Sequence, residues 1–390
     1  MERKTFFILL MTSFSAMVGV GVISPFLPLF AELHGANGFW LGMIFAGYGF
    51  SRGIIMPVVG KVSDRIGRKV FVTSGLLLYT VITLFYPIAE GVVSLTVLRL
   101  FHGFALGMIM PIVVAYVGDF ARKGKEAATV SVLNMMFYMG LAVGPLMGGI
   151  IDQYYGFDAV FYMIAILGAF NFLIVLFLLP DSRSPAPEKV ESFGQFGKLI
   201  KHNFIKAVLI IAVITILMMV VFVSFVPSLA EKIDMNTAHI GFLIFLGIFV
   251  AGILQVPFGN LADRFDRYGK SFQVCIGITV GMFALLAMPF CPEFPALLVA
   301  GAFVGVGTGI AVPALSGIHV EIGQKTGMGT WMGIVQASHS LAFVVTPIIF
   351  GLTMDHLGIN CVFYLVTMIC LFGGLAFYYF VRKRVKDENA

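Results

Sequence analysis

Five consecutive residues, Gly49-Phe50-Ser51-Arg52-Gly53, have the G-x-S-x-G spacing that presents a nucleophilic serine in hydrolases, and the charge beside the serine is foreign to its surroundings. Such an elbow needs a β-strand that turns sharply into a helix, lifting the hydroxyl clear of the backbone, with a histidine and an acid brought near it. Here the run from Phe39 to Val59 is apolar, without strand alternation or a turn signal ahead of the serine, and it has the ~20 residues a helix needs to cross a bilayer. Ser51 therefore reads as a small residue inside a helix, and hydrolysis is not the expected chemistry. Arg52 is the residue left to explain. Arg99 is a second arginine inside an apolar run. An arginine at the middle of a spanning helix costs roughly 2.5–3.5 kcal/mol on insertion scales, so each is expected to face a cavity or a partner. His102, one turn from Arg99 on the same face, is the deep first-half side chain that titrates near neutral pH. It is a candidate proton carrier, the bland reading being a hydrogen-bonded packing residue; His339 is a second candidate. Asn134 and Gln336, each with a polar neighbour one turn on (Tyr138 and Ser340), need partners in lipid and are expected to face the same cavity. Tyr48, one turn before Arg52, joins them. No Asp or Glu lies deep in an apolar run, so the cavity is expected to be electropositive on its N-terminal side and suited to an anionic or carboxylate-bearing substrate. The competing reading of Arg52 is that it snorkels to the water two turns away.

These residues must be positioned by membrane-spanning helices. The chain has 390 residues, 59% of them hydrophobic and 12% charged, where a soluble domain carries about 25% charged residues. Apolar runs bounded by charge clusters give twelve spans, the third read as Val70–Ala89. "MERKTFF" leads straight into a long apolar segment with no small-residue cleavage site, so the first span is expected to remain in the mature protein. With both termini on one side, all but three of the 25 Lys and Arg fall on that side; Lys232 lies on the other, and Arg52 and Arg99 lie within spans. This asymmetry is the positive-inside signature and places both termini in the cytoplasm of a multi-pass protein of the inner or plasma membrane. Basic residues scattered over short loops do not make a nucleic-acid surface. Cys275, Cys291, Cys361 and Cys370 have neither CxxC nor metal-ligand spacing and read as small hydrophobes. With no paired carboxylates and no metal-ligand spacing, the chain is expected to be no enzyme and to need no metal or cofactor.

The sequence also repeats itself. An offset of 199 aligns "GKVSDRIGR" (from Gly60) with "GNLADRFDR" (from Gly259), so that Asp64, Arg65 and Arg68 fall on Asp263, Arg264 and Arg267. At 202, Gly103, Gly107, Pro111 and Asp119 fall on Gly305, Gly309, Pro313 and Glu321. A repeat of half the chain in a helical membrane protein is the mark of secondary transporters. Six spans per half give both copies one orientation and a pseudo-twofold axis along the membrane normal. The Pro-, Ser- and charge-rich stretch 181–202 reads as a cytoplasmic linker ending in a short interfacial segment, which makes 1–180 the N-terminal six-helix bundle and 203–390 the C-terminal one.

"GKVSDRIGRK", with Gly60, Asp64, Arg65, Gly67 and Arg68, resembles the signature loop of the major facilitator superfamily. Arg99 in "LRLFHGFALG" resembles the fourth-span motif, although His102 stands where Gln is common. "GLAVGPLMGG", containing Gly140, Gly144, Pro145, Gly148 and Gly149, is similar to the fifth-span motif of proton-driven exporters, and "GVISPFLP" to their first-span motif. The resemblance covers all twelve spans and points to the drug/proton antiporter branch. It implies an all-α membrane protein of two six-helix bundles related by pseudo-twofold symmetry. It further implies that Asp64 caps the eleventh helix, that Arg68 pairs with Asp119, and that Arg99 belongs to the proton-coupling machinery. Asp263, Arg267 and Glu321 repeat those charges, but Asp266 stands at the place of Gly67, so the second loop is expected to be the weaker latch. Many members of that branch carry a carboxylate in the first span, and this chain has none there. The expected partners are a small amphipathic substrate, protons and the lipid bilayer, in a monomer that exports by alternating access. The alternative is a carrier of an organic anion or lipid-like substrate, importer or flippase, that uses Arg52 and Arg99.

Overall fold

The computed structural model describes residues 3–33, 35, 38–119, 126–180, 203–233, 235, 237–326 and 328–389. The side chains of Asp64, Arg65 and Asp119 and the expected interfacial segment before residue 203 lie outside the described part. The N-terminal half contains α1 (Arg3–Leu33), α2 (Gly38–Ile66), α3 (Arg68–Leu84), α4 (Val92–Asp119), α5 (Glu126–Tyr155) and α6 (Phe157–Leu178). The C-terminal half contains α7 (Asn203–Glu231), α8 (Thr237–Ala262), α9 (Arg267–Ala287), α10 (Phe294–Thr326), α11 (Met328–Leu357) and α12 (Ile359–Asn389), with one 3-10 turn, Met288–Phe290, after α9. Among the described residues there is no strand. In hydrocarbon a backbone must satisfy its own hydrogen bonds, and long apolar runs do so as helices.

Eleven of the helices are long and apolar enough to cross a membrane. The exception, α3, has 17 residues and stops at Leu84, short of the predicted Ala89. Proline at 87 cannot continue a helix and restricts the residue before it, so the chain turns through the bonds Phe85 N–H to Ile82 O (3.0 Å) and Ala89 N–H to Tyr86 O (3.1 Å). That turn aims Tyr86 back into the bundle.

The repeat is visible in the packing. In the N-terminal half α1 packs on α5, α2 on α4, and α3 on α4 and α6; the images of these pairs, α7 on α11, α8 on α10, and α9 on α10 and α12, hold the C-terminal half. The halves meet along two further pairs, α5 with α8 and α2 with α11, which are again images of each other. Close approach depends on glycine. A methyl added at Gly144 of α5 would stand 2.6 Å from both the Val18 carbonyl oxygen and the Val22 nitrogen of α1. In the C-terminal half the corresponding place is taken by Thr346, and one turn on, at the image of Gly148, Phe350 packs its ring 6.2 Å from Phe225 of α7. Gln273, 4% exposed on α9, ties three helices by donating to Phe258 O of α8 (3.1 Å) and Ile310 O of α10 (3.0 Å).

The starts of α3 and α9 solve one problem in two ways. Gly67 precedes α3 with φ 110°, a backbone open to glycine and strained for other residues. Its repeat partner Asp266 is extended, and its carboxylate accepts from Gly269 N–H at 2.8 Å as an N-cap. Asp266→Ala is expected to lower stability by about 1 kcal/mol, seen as a lower midpoint of thermal unfolding in detergent micelles. Asp266→Asn, which keeps the cap, is expected to restore it.

Candidate functional site

The two intramembrane arginines are brought together on one tyrosine. Gly103 of α4 lies against the Tyr48 carbonyl and Ser51 hydroxyl of α2, and Gly107 lies against Ile55, so the two helices approach closely with no side chain from α4 at either place. This sets Arg99 of α4 beside Tyr48, its guanidinium carbon 5.8 Å from the ring centre, while the Arg52 guanidinium carbon lies 6.0 Å from the same ring. Arg52 lies a further 5.8 Å from the Phe343 ring of α11. Cations over aromatic faces gain from the ring quadrupole, most when desolvated. Arg52 is 8% and Arg99 4% exposed, and the Nε of each has no protein hydrogen-bond partner. Ser51 lies mid-helix with its hydroxyl turned back on Tyr48 O (3.3 Å), so the strand-to-helix geometry of a nucleophile elbow is absent.

His102 faces into the N-terminal bundle. Its ring is walled by Tyr79 (4.6 Å between centres), Tyr86 (5.9 Å) and Tyr48 (6.5 Å), and its Nδ1 shares a 3.3 Å hydrogen bond with the Tyr86 hydroxyl. The turn that ends α3 early supplies that hydroxyl.

From the other half, α11 presents Gln336 and His339, joined by a 3.2 Å hydrogen bond between Oε1 and Nδ1. His339 lies within reach of the Arg52 charge. The α2–α11 crossing forms because Gly53 sits on Ser340, where a methyl added to the glycine would lie 3.0 Å from Ser340 Cβ, and Gly49 sits on Phe343 and Val344. Both glycines of the apparent elbow are therefore contact points for α11. At the image crossing, Gly252 of α8 meets Tyr138 and Met139 of α5. Since Gly53 aligns with Gly252 and Ser340 with Tyr138, the two halves cross twice through one repeated contact. Tyr138 thus stands in the second crossing, away from the arginines. Asn134, one turn before it, reaches Ser316 of α10 at 3.4 Å.

On the side of the termini, Asp263 carries a contact between the halves: its Oδ2 accepts from Ala128 N–H in the first turn of α5 at 3.0 Å, satisfying a helix-start donor and complementing its dipole. Behind it Glu321 of α10 takes Arg267 Nε at 3.2 Å and Lys270 Nζ, both from α9. Lys270 has no basic counterpart in the first half. The loop expected to be the weaker latch is therefore closed by a cap and two cations. In the first loop the Arg68 guanidinium is buried over Tyr116 (5.5 Å); the expected capping by Asp64 and pairing with Asp119 fall on side chains outside the described part.

Sequence reasoning missed three residues. Phe343 was hidden among 40 phenylalanines. His319 of α10 and Trp331 of α11 are 5% and 1% exposed, with ring centres 5.7 Å apart. An imidazole in an otherwise apolar tenth span was the available signal, and its closeness to the charged Glu321 masked it. Among the described residues no three His, Cys, Asp or Glu side chains are grouped to hold a metal.

Comparison with known proteins agrees with this arrangement. The model of the Major Facilitator Superfamily matches residues 9–291 and 208–390. An uncharacterized MFS-type transporter of Methanocaldococcus jannaschii is 25% identical over 363 residues, 92% of this chain and 93% of its own. Multidrug resistance protein 1 of Bacillus subtilis is 26% identical over 381 residues, 96% of each chain, and the quinolone resistance protein NorA of Staphylococcus aureus is 24% identical over 366 residues, 90% of each. The crystal structure of the human organic anion transporter MFSD10 (TETRAN) superposes with a TM-score of 0.78 at 16% identity, over 96% of this chain and 99% of that one. Helices, repeat and signature loop thus have one source: the chain belongs to the major facilitator superfamily of membrane transporters.

Proposed function

We propose that this transporter is a secondary carrier working by alternating access, which exports small amphipathic molecules against an inward proton flux, and that its substrates carry an anionic group. The observation that carries the substrate class is the pair of buried guanidiniums around Tyr48, each with an unpaired Nε, on helices whose carboxylates (Asp64 of α2, Asp119 of α4 and Asp355 of α11) all stand in the last turn, several turns away from the arginines in sequence. A buried charge without a partner is costly, and a carboxylate or sulfonate entering between α2, α4 and α11 would relieve that cost with short charge-assisted hydrogen bonds. The drug-export direction is supported by the relatives named for multidrug and quinolone resistance and by the fifth-span glycines. The basic-residue asymmetry supports a cytoplasmic side for the termini, and with them for the Asp263 and Glu321 contacts. A second reading, an organic-anion or lipid-like carrier running as importer or flippase, rests on the same arginines.

The test is reconstitution in liposomes with an imposed pH gradient, set against protein-free vesicles. Faster collapse on adding 9-anthracenecarboxylate, and none on adding tetraphenylphosphonium, is the expected outcome. Collapse with the cation alone would overturn the anionic substrate class, and collapse with neither would remove proton coupling.

A further inference from the structure

We propose that His319 of α10 is a proton-binding group of the transport cycle, held in a polar nest between the Arg52 site and the cytoplasmic latch. The inference rests on the proton-coupled reading above and assigns its proton to a residue outside the resemblance to the family. His319 is buried, and neither of its ring nitrogens has a protein hydrogen-bond partner; the indole Nε1 of Trp331 beside it has none either. Leaving such groups unpaired costs about 1–3 kcal/mol each. A packing role does not explain that cost, because the repeat image of His319 is Val117, a fully buried aliphatic residue that fills the same place in the N-terminal half. The fold accepts an apolar side chain there, and the imidazole is an addition.

The nest spans both halves. Ser316, one turn before His319 on the same face, is bonded to Asn134 of α5, and one turn from Asn134 lies Ser131, a fully buried hydroxyl also without a partner. Glu321, two residues beyond His319, lies on the opposite face of α10, where Arg267 and Lys270 of α9 hold it. His339 of α11 is within electrostatic reach of His319, and Arg52 of α2 within reach of His339. The other charged groups on neighbouring elements are Asp263 after α8, engaged with α5, and Lys206 at the exposed start of α7. His319 is thus the inner member of the series Arg52, His339, His319, on the side of the Asp263 contact. A proton arriving from the outer side binds the lone pair of a ring nitrogen and leaves to cytoplasmic water once the Asp263 contact between the halves lets go.

Trp331 offers a reporter that needs no substrate. The chain has two tryptophans, so Trp40→Phe leaves Trp331 as the single indole, and a neighbouring imidazolium quenches indole emission where a neutral imidazole does not. In the Trp40→Phe protein, in detergent micelles, Trp331 emission is expected to fall as the pH is lowered from about 7 to about 4. His319→Gln is expected to abolish that change, and His339→Gln to displace its midpoint while keeping it. Emission that is flat in the Trp40→Phe parent, or a pH response that survives His319→Gln, would overturn the assignment. A second arm separates it from the broader reading. In liposomes, wild-type protein that moves no protons with 9-anthracenecarboxylate would remove proton coupling altogether. Wild-type coupling that persists undiminished in His319→Gln would overturn the His319 assignment alone.

Discussion

Replacing Arg52 by alanine is expected to raise the half-saturating concentration of an amphipathic carboxylate by roughly thirtyfold or more, the equivalent of losing at least 2 kcal/mol from a desolvated charge pair. The change is expected to spare folding for two reasons. The repeat image of Arg52 is Ala251, 2% exposed at the same position of α8, so the fold already accommodates alanine there. Removing a mid-span arginine also removes an insertion cost of roughly 2.5–3.5 kcal/mol. Arg52→Lys keeps the charge but replaces a planar fork by a point charge, and an intermediate loss is expected. The measurement is the concentration dependence of gradient collapse in liposomes. An unchanged half-saturation in Arg52→Ala would leave the guanidinium a structural ornament of the Tyr48 and Phe343 rings, and the anionic substrate class would fall with it.

Gly144→Val is expected to abolish recovery of folded protein, or to lower stability by more than about 3 kcal/mol, at the upper end of what overpacking costs. The reason is what a side chain would strike. Flexible side chains can swing aside, but at Gly144 the obstacles are Val18 O, Val22 N and the Gly21 carbonyl carbon, all backbone of α1, between 2.6 and 2.7 Å from an added methyl. α1 would have to move away from α5 along its length. Gly351→Val is the matched control, since nothing stands within 4 Å of a methyl there; it is expected to leave size-exclusion profile and thermal midpoint unchanged. Equal damage from both substitutions would show that valine itself, and not the α1 contact, is at fault.

Those glycines were legible in the sequence because helical packing follows spacing alone: residues four apart share a face whatever lies opposite. The spans and the repeat were legible for the same reason, and so were the charges of the two loops. What faced each residue was not. Arg52 and Arg99 could be recognised as misplaced, but their common partner, the Tyr48 ring, depends on α2 and α4 running side by side with Gly103 opposite Tyr48 and Ser51. His102 was assigned with the arginines because it is one turn from Arg99. It does share the Tyr48 ring with them, but the early end of α3 adds Tyr86, and the helical period of α4 carries no information about a turn on α3. The second loop's missing glycine is visible as a letter, but a letter-by-letter match cannot show that Asp266 caps α9 by a different route. His319 and Trp331 come from neighbouring helices and meet only across a helix pair, so no spacing rule joins them.

The contact made twice, Gly53 on Ser340 and Gly252 on Tyr138, has the form of an isologous interface drawn out into a single chain. In a true twofold dimer, any change to one crossing is made at the other as well, and neither can be tuned alone. Joining the copies in one polypeptide lifts that restriction. The paired crossings have kept a glycine on one side of each, while Arg52, Arg99, His319 and Trp331 all stand at places where the opposite half carries Ala251, Gly301, Val117 and Thr129. Under the proposed function, symmetric positions are left to guide movement and asymmetric ones to bind cargo and proton, which would let such a carrier change what it transports without relearning how to move.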